Sequence, residues 1–337
     1  MSRYDIYGIG AALVDTEIEV SDQDLVQLGI DKGVMTLVDA GQQTDLIRQL
    51  SGHLVASRRA SGGSGANSII AASYLGAKTF YSCKVADDEN GEFYLNDLAA
   101  AGVAYTDNSA GHAGVTGRCL VMITPDAERT MTTFLGISET LSVDEIDEFA
   151  LAQSDWAYIE GYLVTSASGK PAAKRLRELA AQSGVRTAIS LSDPAIVRFF
   201  KSGLQEIIGD GVDLLFCNSA EALEFTGASN IDAALEQLKP WASQMAITRG
   251  AEGALLYDGV TVTHIDAVPT TAVDSNGAGD MFAGSFLYGL SRGMTFTDAG
   301  KLASRAASMV VSQFGPRLRP EQFGGIKAAS CKPQATS

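Results

Sequence analysis

Positive charge is what this chain has too little of. Its 337 residues carry 25 Lys and Arg against 40 Asp and Glu, a formal net charge of -15. A surface of that sign repels polyanions and anionic lipid at long range, so neither a nucleic-acid partner nor a membrane-surface role is expected. An anionic ligand must then be held locally, by backbone dipoles, a metal ion or a few placed cations. Cysteine is scarce as well: Cys83, Cys119, Cys217 and Cys331 are scattered and form no C-x-x-C pair or other metal-ligand spacing. They read as reduced, mostly buried thiols of a cytosolic protein. No uninterrupted apolar run approaches bilayer-spanning length, and "MSRYDIYGIG" has no signal-type apolar stretch. The expectation is a soluble cytoplasmic protein. Two nucleotide-binding signatures are missing too. "GIGAAL" (8–13) starts like a dinucleotide fingerprint, but it lacks the third glycine and enters a β-like stretch where the fingerprint needs a helix. There is no G-x-x-x-x-G-K-[ST], which sets a P-loop aside.

What is present is an ordinary globular composition, 46% hydrophobic and 19% charged, ample for a buried core. The length suits one large α/β domain with a small appendage. "YDIYGIGAALVD" (4–15) reads as a buried strand reaching a glycine turn, and "TEIEV" (16–20) alternates like a strand with one wet face, where the chain leaves the main sheet. "ANSIIAASYLGA" as helix, "KTFYSCKVA" as strand and "NGEFYLNDLAAAGV" as helix follow in βαβ rhythm, which implies a parallel sheet. Two β-rich runs around "TPDAERT" make residues 115–135 a hairpin that interrupts this rhythm, a candidate lid. Alternation then resumes from "DWAYIEGYLV" (155–164) to the C-terminal helices, and the small polar tail 331–337 is expected to be mobile.

Three stretches carry candidate chemistry. "AVDSNGAGDMFAGSFLYGL" (272–290) is a Gly-x-Gly turn feeding an apolar helix, so its backbone N–H groups and helix dipole form a natural seat for phosphate. Asp280 closes that turn. It either caps the helix or does chemistry beside the anion, taking a proton from an attacking hydroxyl or helping to hold a metal ion. "ASGGSGANS" (60–68) is a flexible turn before a helix and projects the amide of Asn67; an ordinary cap turn is the other reading. Asp15 ends an apolar strand, placed either to accept from vicinal hydroxyls of a polyol or to sit solvated in a turn.

Together these residues gain weight. Gly-Gly-x-x-x-Asn (62–67), "NSAE" (218–221), "TRGAEG" (248–253) and "DSNGAGD" (274–280) occur in an order and spacing that resemble the ribokinase-like, PfkB-type kinases. The resemblance covers nearly the whole chain. Within that superfamily "GIGAALVD", "KGVMTLVD", "DAERTMTTFLG" and "EGYL" (160–163) are most similar to bacterial adenosine-kinase-type members. It implies a ribokinase-like three-layer α/β/α domain with a mostly parallel central sheet and a small β lid. The main domain would take about 1–10, 43–111 and 137–330, and the lid about 11–42 and 112–136. It implies Asp280 as catalytic base and the amides of Asn276, Gly277, Ala278 and Gly279 as the anion hole. Asn218 and Glu221 match the motif that organises Mg2+, phosphate and water; Thr248, Gly250 and Gly253 match the nucleotide-side loop. Asp15, Gly63 and Asn67 match the grip on sugar hydroxyls. Arg129 lies in the lid hairpin, facing substrate or phosphate or merely solvated, and Tyr162 offers a ring to a base. ATP and Mg2+ are implied, with K+ beside Asp274 and the "FGPR" segment left open, as is a monomer or homodimer. Three departures stand out: Ala11 occupies the place where such sequences usually have Asn, Leu163 and Val164 follow Tyr162 in place of further aromatics, and Ser275, followed by Asn276, stands where a Thr is common. The expected activity is transfer of the ATP γ-phosphoryl to a primary hydroxyl of a nucleoside, adenosine first. Alternatives are a sugar kinase for ribose, fructose or a keto-deoxy sugar acid, or an inactive nucleotide-binding protein.

Overall fold

The apolar run at the start forms β1 (Tyr4–Ile9), buried from Ile6 onward on both faces, as an inner parallel strand must be. The structure is a computed structural model describing residues 4–52, 58–107, 111–126 and 128–330; the tail 331–337 and Cys331 lie outside them. After β1 the chain makes an excursion through β2 (Leu13–Glu19), α1 (Asp22–Leu28), β3 (Met35–Leu37), α2 (Ala40–Gln49) and β4 (Arg58–Gly62). It returns at α3 (Ser64–Tyr74), β5 (Thr79–Ser82), α4 (Glu89–Ala100) and β6 (Val103–Ala104). A second excursion is the hairpin β7 (Gly117–Ile123) and β8 (Arg129–Phe134). Next come α5 (Glu148–Ala152), β9 (Ser154–Glu160), α6 (Gly169–Ser183), β10 (Arg186–Ser190), α7 (Pro194–Ile208) and β11 (Val212–Asn218). They lead to α8 (Ser219–Thr226), α9 (Ile231–Leu238), β12 (Ala242–Thr248), β13 (Ala254–Tyr257) and β14 (Val262–Ile265). Helices α10 (Ala278–Ser291), α11 (Phe296–Val311) and α12 (Phe323–Ser330) close the described chain.

Nine strands form the main sheet in the order β14-β13-β12-β11-β10-β9-β1-β5-β6, parallel except at β13 and β14. One face buries Leu176, Ile207, Phe225 and Leu235 of α6 to α9. The other buries Ile69, Tyr94, Phe286 and Ala303 of α3, α4, α10 and α11. This is the three-layer α/β/α arrangement. Among the described residues no helix is long and apolar enough to cross a membrane, and Cys83, Cys119 and Cys217 are free and buried.

The two excursions meet in a second, five-stranded sheet of order β3-β8-β7-β2-β4. It is larger than the sequence suggests. Strand β4 falls in the span assigned above to the main domain, yet it pairs antiparallel with β2 from Leu13 opposite Gly62 to Glu17 opposite Arg58. A run of "RRASG" has neither the alternation nor the apolar content that announces a strand, so only its partner reveals it. Helix α2, also beyond the expected boundary at 42, attaches to this sheet through Gln43 Nε2, which donates to the Arg118 carbonyl at 2.9 Å.

Candidate active site

A cavity of about 430 Å³ opens where the small sheet overhangs the C-terminal ends of β1, β9, β10, β11 and β12. That volume accommodates a drug-sized ligand. The small sheet contributes an apolar wall of Leu13, Met35, Leu37, Val121, Met131 and Leu135, and the main layer contributes polar groups.

Helix α10 starts from Gly277, whose φ of 69° is a left-handed conformation and where a Cβ would run into the Pro316 carbonyl. Glycine is required there on both counts. Asp280, three residues on, does not cap its own helix. Its Oδ1 accepts from Ser64 Oγ at 2.6 Å and its Oδ2 from Asn67 Nδ2 at 3.1 Å, both on the first turn of α3. Burial raises the Asp280 carboxyl above its ordinary range, opposed by these two donors. The glycine turn before α3 thus brings Ser64 and Asn67 onto one helical face against Asp280.

The anion cradle is narrower than the sequence implies. The amide of Asn276 is taken by Asp274 Oδ1 at 2.8 Å and that of Ala278 by the Ser275 carbonyl at 3.3 Å. The amides of Gly277, Gly279 and Asp280 form no hydrogen bond with another described residue. Those three amides are the ones left to donate to a ligand. Asp274 itself is fully buried, accepts from Gly315 N at 2.9 Å and lies 2.9 Å from Arg129 Nε, an ion pair at an angle outside hydrogen-bond geometry. Arg129 therefore spans from the small sheet to the cradle, lining the cavity as expected but with its charge already answered.

Asp15, on β2, is a buried carboxylate to which no described residue donates a hydrogen bond, and burial lifts its pKa to about 7. Asn67 is in a related position: its Oδ1 is buried without a partner. Two unanswered acceptors beside Asp280 are costly unless a ligand's hydroxyls fill them. Gly63 has a φ of 92° and packs so closely on the Ala11 carbonyl that no side chain fits. Its role is to turn the chain from β4 into α3. Ala11 lies in the cavity wall.

On the far side, Asn218 and Glu221 hold each other. Asn218 Nδ2 donates to Glu221 Oε1 at 2.6 Å, Asn218 N to Oε2 at 3.0 Å, and Glu221 N to Asn218 Oδ1 at 2.9 Å. This is a reciprocal helix cap, and burial raises the Glu221 pKa to about 7. Thr248 and Gly250 line the cavity, and the space around Gly250 is open. Gly253 is not among the lining residues: a Cβ there would strike the Ile265 carbonyl, so it serves the packing of β13 on the end of β14. Tyr162 lines the cavity from a 3-10 turn over Gly161–Thr165, while Leu163 and Val164 are buried in the core.

Two groups had no weight in the sequence. Ser64 is one helical turn before Asn67, which was its only signal. Glu160 ends β9 with 1% of its surface exposed, accepts from Gly65 N at 2.8 Å and is raised by burial to about 8. A lone acid ending the apolar run "WAYI" could have marked it.

The lining contains five carboxylates, Asp15, Glu160, Asp193, Glu221 and Asp280, against one guanidinium, Arg129. No described cluster of three or more His, Cys, Asp or Glu could cage a metal ion. A Mg2+ ion carried on phosphate oxygens and keeping its waters would suit this lining, with Glu221 the residue that would hold it through water, and it would supply positive charge to an acid-rich cavity.

The acids of the cavity give the protein two opposed responses to pH. If Asp15 accepts from acceptor hydroxyls as a carboxylate, kcat/KM for the acceptor is expected to fall as pH drops below about 7, with the raised carboxyl of Asp280 adding to the fall. Stability of the ligand-free protein runs the other way. Asp15, Glu160 and Glu221 have folded pKa values raised above the ordinary range by burial. Their contribution is complete below the ordinary carboxylate pKa and is lost as pH rises through about 7 to 8. Thermal melts and kcat/KM measured from pH 5 to 9 check both slopes; parallel slopes would refute the assignment.

A β lid over an acidic cavity, with one carboxylate placed at a glycine-rich helix start, defines an enzyme that aligns a hydroxyl with a phosphoryl group. A family model described as pfkB family carbohydrate kinase matches residues 39–322, and the chain belongs to that family. It is a kinase that uses ATP, a phosphotransferase with an alcohol group as acceptor. Among solved structures, adenosine kinase from Sinorhizobium meliloti is 33% identical, with a TM-score of 0.91 covering 97% of this chain and 100% of that one. A probable sugar kinase protein from Rhizobium etli CFN 42 is 32% identical, with a TM-score of 0.91 covering 98% and 99%. Adenosine kinase of Saccharomyces cerevisiae is 25% identical over 338 residues, covering 95% of this chain and 98% of that protein.

Proposed function

We propose that this kinase transfers the γ-phosphoryl of Mg-ATP to the primary hydroxyl of a ribonucleoside, adenosine foremost. Asp280 removes the hydroxyl proton, the amides of Gly277, Gly279 and Asp280 receive the phosphoryl oxygens, and Asp15 and Asn67 hold the sugar hydroxyls. Phosphoryl transfer needs this alignment and charge placement more than covalent chemistry. Strands β2, β3, β4, β7 and β8, with α1 and α2, act together as the lid, whose closure excludes water.

The observation that carries the acceptor is the apolar wall of Leu13, Met35, Leu37, Val121, Met131 and Leu135. A free hexose or pentose would leave its hydroxyls unmatched against that wall, whereas a nucleobase covers it. The acid-rich lining argues against a keto-deoxy sugar acid, which would add a sixth carboxylate. An inactive protein would have no use for an Asp280 held by two donors. K+ is not part of the reading, because Arg129 already neutralises Asp274. Free buried thiols support a cytoplasmic setting.

The test is kcat/KM over adenosine, inosine, cytidine, ribose, fructose and a keto-deoxy sugar acid, with ADP release and phosphorylated product both measured. A nucleoside is expected to exceed each free sugar by about 100-fold or more, the scale that unmatched polar groups impose. A free sugar at the top would establish the sugar-kinase alternative.

A further inference from the structure

The chain passes from the main layer to the lid at Gly10–Ala12 and returns at Gly62–Gly63, and one side chain reaches both crossings. Glu160 Oε2 accepts from Gly65 N at 2.8 Å, just after the return. The same carboxylate accepts from the Ala11 amide at the departure and from the Tyr81 hydroxyl of β5. That hydroxyl has a single hydrogen, which it shares with the Ala11 carbonyl 3.3 Å away. Two glycines are shaped around this carboxylate. A Cβ on Gly10 would collide with Glu160 Oε2, and one on Gly65 would approach it to 2.6 Å, closer than real contacts permit. Gly10 and Gly65 are 55 positions apart, so the geometry reflects one buried acid and not a local turn.

We propose that Glu160 is a positioning residue that ties the two crossings together and so fixes the distance between Asp15, on the departing strand, and Ser64 and Asn67, on the returning helix. Its oxygens already accept from two backbone amides and face a phenol, and through these it acts on the acceptor side. The consequence is specific. Ser64 and Asn67 hold Asp280, and Asp15 faces the same cavity, so loosening Glu160 spreads the acceptor side. The ATP side, built on Asn218, Thr248 and the α10 turn, stays as it was.

This inference rests on the assignment of Asp15 and Asn67 to the acceptor. Glu160→Gln, assayed above about pH 8 where the acid is ionised, is the direct test, because a Gln of the same shape cannot accept from both amides without turning its NH2 toward one of them. The acceptor KM is expected to rise about tenfold, the cost of a modest misplacement, with the KM for ATP unchanged. ADP released per acceptor phosphorylated should rise as well, since a spread hinge admits water. Tyr81→Phe removes one donor and leaves both amides, so it should give the same pattern at roughly threefold. If Glu160→Gln does not fold, Tyr81→Phe decides alone. An unchanged acceptor KM in a folded variant overturns the proposal. So does an equal rise in the KM for ATP, which is what general loosening would give. If the wild type phosphorylates no nucleoside, the function assignment fails; if it does and these ratios hold still, only the clamp fails.

Discussion

In Asp280→Asn, kcat is expected to fall by about 10²- to 10⁴-fold, the range for loss of a general base, while ATP binds as before. The substitution keeps the shape and removes the charge and the proton-accepting oxygen. Ser64 Oγ, at 2.6 Å, can still donate to the remaining carbonyl oxygen. The clash falls on Asn67 Nδ2, which faces a second amide where it had a carboxylate; a flip of the introduced amide cannot satisfy both donors. The amides of Gly277 and Gly279 are untouched, so nucleotide affinity separates loss of the base from damage to the cradle. Steady-state kinetics and calorimetric ATP titration check this. A variant that kept more than about half of the wild-type kcat would return Asp280 to a structural role.

The second large effect concerns Asp15. With no hydrogen bond from a described residue, its carboxylate is free to accept from two vicinal hydroxyls. Hydrogen bonds to a charged group contribute about 1.5 to 3 kcal/mol, so 2'-deoxyadenosine is expected to be about 10- to 150-fold poorer than adenosine in kcat/KM. Asp15→Ala should lower kcat/KM for adenosine by a similar factor and bring the two substrates nearly level. Ala11 offers no polar side chain, so under the proposed function Asp15 and Asn67 carry this recognition. If the wild type ignores the missing hydroxyl, Asp15 is misassigned whichever acceptor is preferred.

Local signals made much of this site legible. The glycine turns at 62–65 and 277–279 announce left-handed or tightly approached backbone, and each is followed by an apolar helical pattern. Alternating strands and helices with buried apolar runs specify the parallel three-layer domain. What sequence could not show were relations between distant segments. Strand β4 is legible only through β2, and the partner of Asp274 is an arginine 145 positions upstream. The Asn276 amide looked available because a fragment does not reveal that Asp274 bends back to take it. Gly253 has the spacing of a nucleotide loop, yet its lack of a side chain answers the Ile265 carbonyl. Glu160 was hidden for the same reason, since its two glycine complements lie on other segments.

Strand β1 is made before every other described strand, yet it ends in the interior of the main sheet, flanked by β5 and β9. Strand β5 arrives early, but β9 is complete only at Glu160. At about 5 to 20 residues per second, an apolar strand waits roughly 10 to 30 s with one edge open. That edge is a template for any other extended segment, including the same strand on a neighbouring nascent chain. Parallel pairing over so long a separation is also slow to close. The half-made protein is therefore its most aggregation-prone form, and demand for chaperone protection falls on the interval between synthesis of β1 and synthesis of β9.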